Sequence, residues 1–293
     1  MTRSGFVALA GRPNVGKSTF VNAVVGEKVA IVSDRPQTTR RAIRGVYASG
    51  ESQIVLVDLP GVQRPRDALT ARMARTVQQE LAGSDASLLV LNGEQGVGGG
   101  DRFIAGVLGD AGLPVTIAVN KTDRLSKTAL VAVLQEASEL DPQAEVFPIS
   151  ARTGAGLAAL LEHLAPLMPE GPFMFAEGAV SDQPLELRLA ELVREAVIRR
   201  TFQELPHAVE VLIEEIERPR AGLVRVRALI WVESESQKAI VVGARGRMVK
   251  AIGTAARREL ERALASHVHL DLSVRVRRDW RADEGLLDRL GIS

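Results

Sequence analysis

A glycine-rich segment near the start of the chain constrains the fold more than any other feature of the sequence. Gly11 and Gly16 are separated by four residues and are followed directly by Lys17 and Ser18, which is the spacing of a P-loop. In a P-loop, successive backbone N–H groups surround a phosphate, the lysine reaches the β- and γ-phosphates, and the hydroxyl holds Mg²⁺. The sequence therefore predicts a nucleotide site that includes Gly11, Arg12, Pro13, Asn14, Val15, Gly16, Lys17, Ser18 and Thr19.

The residues on either side of this segment agree with that interpretation. Residues 6–10 form a short apolar run typical of a buried strand, and residues 18–25 have the pattern of a helix. The positive end of the helix dipole then points at the phosphates. We therefore expect the segment to join a strand to a helix, as a P-loop does.

Composition limits the other classes of function. A chain of 293 residues is longer than one hydrophobic core usually serves, which favours two domains. The absence of cysteine excludes disulfides and thiol catalysis, and only four histidines argue against a His-rich metal site. No apolar run approaches the roughly 18 residues that span a bilayer, and the N-terminus lacks the apolar stretch of a signal peptide, so we expect a cytoplasmic location.

Residues 1–170 alternate between strand-like and helix-like runs. The strand-like runs are apolar on both faces, which is typical of a parallel sheet covered by helices. They are residues 6–10, 53–57, 87–91, 115–119 and 145–149. Helices are predicted at residues 69–81, 102–108, 126–140 and 157–167. The prediction is a doubly wound α/β domain, in which ligands bind at the carboxyl ends of the strands.

A short motif follows the second predicted strand. It consists of Asp58, Leu59, Pro60 and Gly61. The Asp58 carboxylate is expected to bind Mg²⁺ through a water molecule, and the Gly61 N–H is expected to meet the γ-phosphate. Because Asp-x-x-Gly is a common turn, the interpretation depends on its position at the end of a strand.

Two further motifs predict selection of guanine. The carboxylate of Asp123 accepts two hydrogen bonds from adjacent N–H and NH₂ groups, which guanine has and adenine lacks. In the same motif, Asn120 follows the fourth strand and the stem of Lys121 covers the face of the base. Ser150 and Ala151 follow the fifth strand, and a backbone N–H there is expected to meet the guanine O6 atom.

The segment between the first helix and Asp58 is polar and contains Thr38 and Thr39. A threonine here binds Mg²⁺ only when a γ-phosphate is present, so the loop is ordered in one nucleotide state and released after hydrolysis. Thr39 is favoured as this ligand, and Thr38 remains an alternative. Gly61 is followed by Val62, so no glutamine stands where many GTPases position the attacking water, and we expect slow hydrolysis.

The second half of the chain has a different pattern. Residues 171–184 contain several Pro and Gly residues, as linkers do. A helix is predicted beyond them at residues 185–202. Two strands follow at residues 207–216 and 223–232, joined by a turn at residues 218–222. A broken helix that ends near residue 264 and a strand at residues 267–277 come next. The prediction for this half is an α+β domain.

The broken helix carries the sequence Gly243, Ala244, Arg245 and Gly246 at its interruption. A Gly-x-x-Gly loop between two helices is the feature with which KH domains clamp four nucleotides of single-stranded RNA, although a plain helix-turn-helix remains an alternative for this pattern alone. Residues 236–258 contain six basic and no acidic residues, which favours a nucleic acid partner. The predicted RNA-binding residues are Lys238, Gly243, Ala244, Arg245, Gly246, Arg247, Lys250 and Arg257.

Few rings are available to stack on RNA bases, since aromatic residues make up 3% of the chain. Aliphatic contacts from Ile240 and Ile252 are therefore expected in the RNA groove.

Together these motifs resemble the Era family of bacterial GTPases. The P-loop segment, the segment Pro-Gln-Thr-Thr-Arg at residues 36–40 and Asp-Trp-Arg at residues 279–281 look like those of the family. The order helix, two strands, two helices and strand in the second half is similar to the type II KH fold. The resemblance covers essentially the whole chain and implies an Era-type P-loop GTPase domain at residues 1–170, a linker at 171–184, and a type II KH domain with a C-terminal tail at 185–293.

The resemblance also implies chemistry and partners. It implies a GTPase of low intrinsic rate that uses Mg²⁺, with Lys17, Thr39, Asn14 and Gly61 as catalytic residues and Asn14 helping to bind K⁺ beside the phosphates. It implies binding to the 3′ end of 16S ribosomal RNA in the 30S subunit, a role in 16S rRNA processing and 30S biogenesis, a monomeric state, and peripheral association with the cytoplasmic face of the membrane.

Other functions remain open. One is a membrane-associated cell-cycle or energy-coupling GTPase whose RNA binding is incidental. Another is a non-catalytic protein in which GTP only stabilises the fold. An ATP-using P-loop kinase is disfavoured because Asn120 and Asp123 would then have no role.

Overall fold

The computed structural model describes residues 1–33, 38–61, 67–202 and 205–292. Within these ranges the chain forms two compact units, and the second consists of the residues from Gln183 onwards together with residues 31–33 and 67–69. None of the helices in these ranges combines the length and the apolar character needed to cross a membrane.

The first unit contains a six-stranded sheet in the order β2-β3-β1-β4-β5-β6, in which only β2 runs antiparallel to its neighbour. The strands are β1 (Arg3–Ala10), β2 (Ile43–Ser49), β3 (Ser52–Asp58), β4 (Ala86–Asn92), β5 (Val115–Asn120) and β6 (Glu145–Pro148). The helices are α1 (Lys17–Val25), α2 (Ala68–Ala82), α3 (Gly99–Asp110), α4 (Lys127–Ser138) and α5 (Leu157–Leu164). The predicted doubly wound α/β fold is confirmed.

Alternate residues of one central strand pack into two different hydrophobic cores. On β1, Val7 and Leu9 belong to one core, whereas Ala8 and Ala10 belong to the other. All four side chains are buried. A strand covered by helices on both faces has no polar positions, which explains why the apolar runs identified these strands in the sequence.

The strand β2 was missed by the sequence interpretation. Its Gly45 interrupts the apolar alternation, and the structure shows why a glycine is needed there. A Cβ atom on Gly45 would lie 2.5 Å from Val21 Cγ1 on α1. Because the helix approaches this edge strand closely, the strand carries a glycine where an apolar residue would otherwise continue the alternating pattern, and the pattern no longer indicates a strand.

The segment that leads out of the first unit lies along its sheet. The side-chain oxygen of Gln53 accepts hydrogen bonds from the backbone N–H groups of Met174 and Phe175 at 2.8 and 3.0 Å. Further along, Val46 N–H donates to Val180 O, and Arg44 pairs with Asp182. Residues up to Asp182 thus belong to the first unit, although the composition of residues 171–184 is that of a linker.

The second unit contains a three-stranded sheet in the order β7-β8-β9, with β7 antiparallel and β9 parallel to the central strand. The strands are β7 (Glu210–Arg220), β8 (Leu223–Val232) and β9 (His267–Val276). The helices are α6 (Leu185–Ile198), α7 (Leu205–Ala208), α8 (Glu235–Val242), α9 (Arg247–Leu264) and α10 (Glu284–Arg289). The predicted α+β order is confirmed, but the first predicted strand was placed too early, since α7 occupies its beginning.

One face of this sheet packs on the helices. Along β8, Val224 and Val226 are buried in the hydrophobic core, whereas Arg225 and Arg227 are exposed. The same core contains Ile252 of α9. The C-terminal tail is fixed by Trp280, whose fully buried ring donates a hydrogen bond from Nε1 to Ala208 O at 2.9 Å.

Candidate nucleotide site and RNA-binding loop

The predicted nucleotide-binding segments follow four strands of the six-stranded sheet. The P-loop follows β1, residues 58–61 begin at the end of β3, residues 120–123 begin at the end of β5, and Ser150 and Ala151 follow β6. Because these four strands are parallel, their carboxyl ends lie at one edge of the sheet. The fold therefore gathers residues that are up to 140 positions apart in the sequence.

Two glycines of the P-loop are required by close approaches. Gly11 has φ 154°, and a Cβ atom there would lie 2.4 Å from Val90 O. Gly16 has φ 105°, and a Cβ atom there would lie 2.3 Å from the Nδ2 atom of Asn120. Asn14 adopts the left-handed region with φ 64°. These conformations turn the backbone sharply between β1 and α1, as a phosphate-binding nest requires.

The lysine of the P-loop is buried. Lys17 is the first residue of α1, and its Nζ atom donates a hydrogen bond to Gly11 O at 3.2 Å. Burial lowers the pKa of Lys17, and the nearby carboxylate of Asp58 opposes this shift. The side chain therefore lies across the loop whose N–H groups would surround a phosphate.

Three oxygen-bearing side chains meet beside this lysine. Ser18 Oγ donates to Asp58 Oδ2 at 2.5 Å, and Thr39 Oγ1 lies 3.3 Å from Ser18 Oγ and 3.4 Å from Asp58 Oδ2. Burial raises the pKa of Asp58, while Lys17 and the two hydroxyl groups act to lower it. The other carboxylate oxygen, Oδ1, is buried without a hydrogen-bond partner in the described part of the chain.

Oxygen ligands of this kind fit Mg²⁺, which prefers carboxylate, hydroxyl and water oxygens. The corner formed by Ser18, Thr39 and Asp58 is the candidate metal site because its three oxygens lie within 3.4 Å of one another. Val62, which follows this corner in sequence, lies outside the described residues.

Asn120 holds three segments of the site together. Its Nδ2 atom donates to Val15 O at 2.8 Å, and its Oδ1 atom accepts from the N–H groups of Lys121 and Ala151 at 2.8 and 2.9 Å. The sequence interpretation assigned a backbone N–H of Ser150 and Ala151 to guanine O6. In the structure the Ala151 N–H donates to the buried amide oxygen of Asn120, and its contact with guanine O6 stays a prediction.

The carboxylate of Asp123 is oriented by two neighbours. Ser150 Oγ donates to Oδ1 at 2.5 Å, and Arg152 donates from Nε and Nη2 to Oδ2 at 3.1 and 2.6 Å. The hydrogen bond from Ser150, followed by the pair with Arg152, lowers the pKa of Asp123. The sequence interpretation missed Arg152, and its only signal was an arginine directly after Ser-Ala.

The Gly-x-x-Gly loop of the second unit joins α8 to α9. Gly243 has φ 70°, and a Cβ atom there would lie 2.6 Å from Met248 Cβ. Arg245 adopts the left-handed region with φ 54°, which is unusual for a residue other than glycine. Ala244 and Arg245 are exposed at the tip of the loop.

The predicted basic residues outside the loop lie on the two helices that it joins. Arg247, Lys250 and Arg257 are exposed along α9, and Lys238 is partly exposed on α8. Of the two aliphatic side chains expected in the RNA groove, Ile240 is 55% exposed, whereas Ile252 is 0% exposed. The expectation for Ile252 was wrong, because this side chain completes the hydrophobic core beneath the helix.

Comparison with known proteins identifies both units. Residues 6–121 match the family model described as a 50S ribosome-binding GTPase, and residues 204–281 match the KH domain model. GTPase Era of Thermotoga maritima is 44% identical over 292 residues, which cover 99% of this chain and 97% of the relative. The chain belongs to the Era GTPase family.

Solved structures of Era agree over the full length. A variant of Aquifex aeolicus Era bound to GDP and AlF₄⁻ matches with a TM-score of 0.95 and 34% identity, covering all of both chains. Era in complex with MgGDPNP and nucleotides 1506–1542 of 16S ribosomal RNA matches with the same TM-score, identity and coverage. GTPase Era of Mycobacterium tuberculosis is 44% identical over 295 residues, covering 98% of each chain.

Membership of the Era family accounts for the two units. The first is a GTPase domain that hydrolyses GTP, and the second is a KH domain, a module that binds single-stranded RNA. The predicted P-loop GTPase fold followed by a KH domain is thereby confirmed.

Proposed function

We propose that this Era family protein is a GTP-driven RNA-binding switch that acts in 16S rRNA processing and 30S subunit biogenesis. The observation that carries the proposal is the full-length match, at a TM-score of 0.95, to Era solved together with a guanine nucleotide and the 16S rRNA segment 1506–1542. The proposed partner is the 3′ end of 16S rRNA within the 30S subunit. We further propose that the protein acts as a cytoplasmic monomer with peripheral contact to the membrane.

In the proposed site each residue has a specific role. The P-loop N–H groups and Lys17 bind the phosphates, and Asp123 selects guanine through its two carboxylate oxygens. Ser18 and Thr39 bind Mg²⁺ directly, and Asp58 binds it through water. The bound metal ion compensates charge on the phosphates. The contacts among Ser18, Thr39 and Asp58 support this assignment, since all three oxygens already lie within 3.4 Å of one another.

Asn14 is the proposed residue for K⁺ assistance. Its left-handed backbone forms part of the sharp turn of the P-loop. A potassium ion beside the β- and γ-phosphates would compensate charge where other GTPases use an arginine. This assignment, the low intrinsic rate and the catalytic roles of Lys17, Thr39 and Gly61 are proposed from the family resemblance.

The RNA surface is proposed to centre on the Gly-x-x-Gly loop. The bend at Gly243 and Gly246 brings backbone atoms to the surface, and the exposed cations of α9 lie next to it. The RNA would thus contact backbone and basic groups at the loop, and the exposed Ile240 beside them.

The test measures GTP turnover by the full-length protein in K⁺, with a single-stranded RNA that matches the 3′ end of 16S rRNA. The test variant replaces Ala244 and Arg245 with Asp, which tolerates the left-handed backbone and therefore preserves the loop. The control variant is Arg262→Asp, since Arg262 is exposed near the far end of α9.

The proposal predicts that this RNA stimulates turnover by the wild type and the control, that a scrambled RNA does not, and that the double Asp variant loses both RNA binding and stimulation. GTP affinity is expected to stay the same in all three proteins. Turnover that does not respond to the RNA, although the RNA binds, would contradict the switch. Equal turnover in K⁺ and Na⁺ would contradict the role of Asn14.

A further inference from the structure

Asp101 is a buried carboxylate that pairs with the P-loop. Its Oδ1 atom accepts a hydrogen bond from Arg12 Nε at 2.8 Å, and its Oδ2 atom accepts one from Gly98 N–H at 2.9 Å. The Asp101 side chain is fully buried, whereas that of Arg12 is partly exposed. Burying a carboxylate is unfavourable unless it is paired, so this carboxylate holds Arg12 in place.

The stem of Arg12 lies on consecutive glycines at the start of α3. A Cβ atom on Gly100 would lie 2.9 Å from Arg12 Cδ, and one on Gly98 would lie 3.6 Å from Arg12 Nη1. A Cβ atom on Gly99 would have no neighbour within 4 Å. The three glycines therefore differ, because only at Gly100 would a side chain press on the arginine, while the 3.6 Å distance at Gly98 is ordinary van der Waals contact.

The loop before α3, residues 93–98, contacts both the P-loop and the base-binding motif. At one end Gly96 O accepts a second hydrogen bond from Arg12 at 3.3 Å. At the other end Gly93 N–H donates to Asn120 O at 2.9 Å, and Glu94 pairs with Arg124 at 3.1 Å. This loop therefore connects the phosphate-binding segment to the segment that selects guanine.

We propose that Asp101, acting through Arg12, is a positioning residue for the nucleotide phosphates. The ion pair fixes the P-loop relative to the base-binding segment, so that its N–H groups need little rearrangement when phosphates bind. Nucleotide affinity then depends on a side chain outside the GTPase motifs. The proposal concerns the GTPase unit alone and does not depend on RNA binding.

Gly100→Ala and Gly99→Ala form a matched pair of variants that tests it. Both introduce the same methyl group into the first turn of α3, where alanine favours the helix over glycine. A loss of thermal stability is therefore expected only for Gly100→Ala, from its contact with Arg12, and GDP dissociation is measured well below the melting temperatures of both variants. Only Gly100→Ala pushes against Arg12 and weakens its ion pair. We expect the dissociation rate of GDP to rise about threefold or more in Gly100→Ala, an effect of the size of one ion pair, and to stay unchanged in Gly99→Ala.

A second series changes the pair itself. Asp101→Asn keeps an acceptor for Gly98 but removes the charge, and Arg12→Lys keeps the charge but loses the fork geometry. For Asp101→Asn we expect KM for GTP to rise about tenfold with kcat unchanged, because the charge-assisted bond is lost. Arg12→Lys is expected to retain part of the affinity. The ratio of GTP to ITP affinity is expected to stay constant, since ITP lacks only the guanine amino group.

Two results would overturn the proposal. One is identical GDP dissociation from the Gly99→Ala and Gly100→Ala variants. The other is an Asp101→Asn protein whose thermal stability falls while its GDP and GTP affinities, measured well below its melting temperature, match those of the wild type. The second result would show that the pair stabilises the fold without positioning the P-loop.

Discussion

Replacing Asn120 with Ala tests how much one buried amide contributes to the site. The side chain is 2% exposed and makes three hydrogen bonds, to Val15 O, Lys121 N–H and Ala151 N–H. A hydrogen bond of this kind contributes about 1 kcal/mol, and a buried group left unpaired costs about 1 to 3 kcal/mol. We therefore expect the free energy of unfolding of the GTPase unit to fall by about 3 to 5 kcal/mol.

Asn92 provides the matched control. It lies directly beside Asn120 in the register of β4 and β5, is 3% exposed, and its side chain accepts one hydrogen bond, from Glu94 N–H at 3.0 Å. Asn92→Ala removes the same atoms from an equally buried position at the same edge of the sheet. We expect it to cost about 1 kcal/mol.

The distribution of tryptophan allows the two units to be followed separately. Both tryptophans of the chain, Trp231 and Trp280, lie in the second unit. In urea titrations, tryptophan fluorescence therefore reports unfolding of the KH unit, whereas far-UV circular dichroism reports both units. The expected result is a fluorescence midpoint that is the same in all proteins, with a dichroism transition that shifts far more for Asn120→Ala than for Asn92→Ala.

Affinity for GDP gives an independent measurement. Because Asn120 joins the P-loop to the base-binding segment, we expect Asn120→Ala to lower GDP affinity more than tenfold, and Asn92→Ala to change it little. Equal losses of stability in the two variants would refute the reasoning, because they would show that burial at this edge matters and that the number of hydrogen bonds does not.

Four further predictions follow from individual side chains. Asp123→Asn is expected to reduce GTP affinity about a hundredfold or more and to favour XTP, whose base offers the complementary groups, as measured by competition binding. Arg245→Gly is expected to stabilise the KH unit by about 1 kcal/mol in urea, by relieving the left-handed backbone, while weakening RNA binding through the lost charge. Trp280→Phe is expected to destabilise the same unit by about 1 to 2 kcal/mol, with Trp231 as the fluorescent probe, because the Nε1 hydrogen bond is lost. Burial raises the pKa of Asp58 above its ordinary value of 3.8. Protons therefore compete with Mg²⁺ for this carboxylate at a higher pH than they would for an exposed aspartate. Mg²⁺-dependent GTP binding is expected to weaken as the pH falls towards the pKa of Asp58.

The sequence predicted those parts of the fold that repeat a simple physical pattern. Runs such as residues 53–57 are apolar on both faces because helices cover the sheet on both sides, and each motif directly follows such a run. Since parallel strands end at one edge, the position of a motif after a strand was sufficient to predict that Asp58 and Asn120 lie at the same edge.

The features that were missed depend on contacts between distant residues. The edge strand β2 carries Gly45 because α1 approaches it closely, and no local pattern records this approach. Ile252 was assigned to the RNA groove because it lies close in sequence to the basic residues. Its position in the helical repeat directs its side chain into the hydrophobic core. The partners Arg152 and Asp101 contact the motifs only in the folded protein, so motif spacing gave no reason to select them.

The hydrogen-bonding capacity of the side chain is used differently by Asn120 and Asp58. Both acceptor positions of the Asn120 oxygen are taken by N–H groups of the protein, and Nδ2 donates one of its two hydrogens to Val15 O. Asp58 differs, because its buried Oδ1 atom has no hydrogen-bond partner within the described ranges. A buried oxygen of this kind is unfavourable unless a ligand or water satisfies it, which supports a metal-binding role for Asp58. Asn120 keeps a second N–H on Nδ2 beside the one that donates to Val15 O, so its contact with the nucleotide stays a prediction. Only the folded structure shows how the hydrogen-bonding groups of these two motif residues are used.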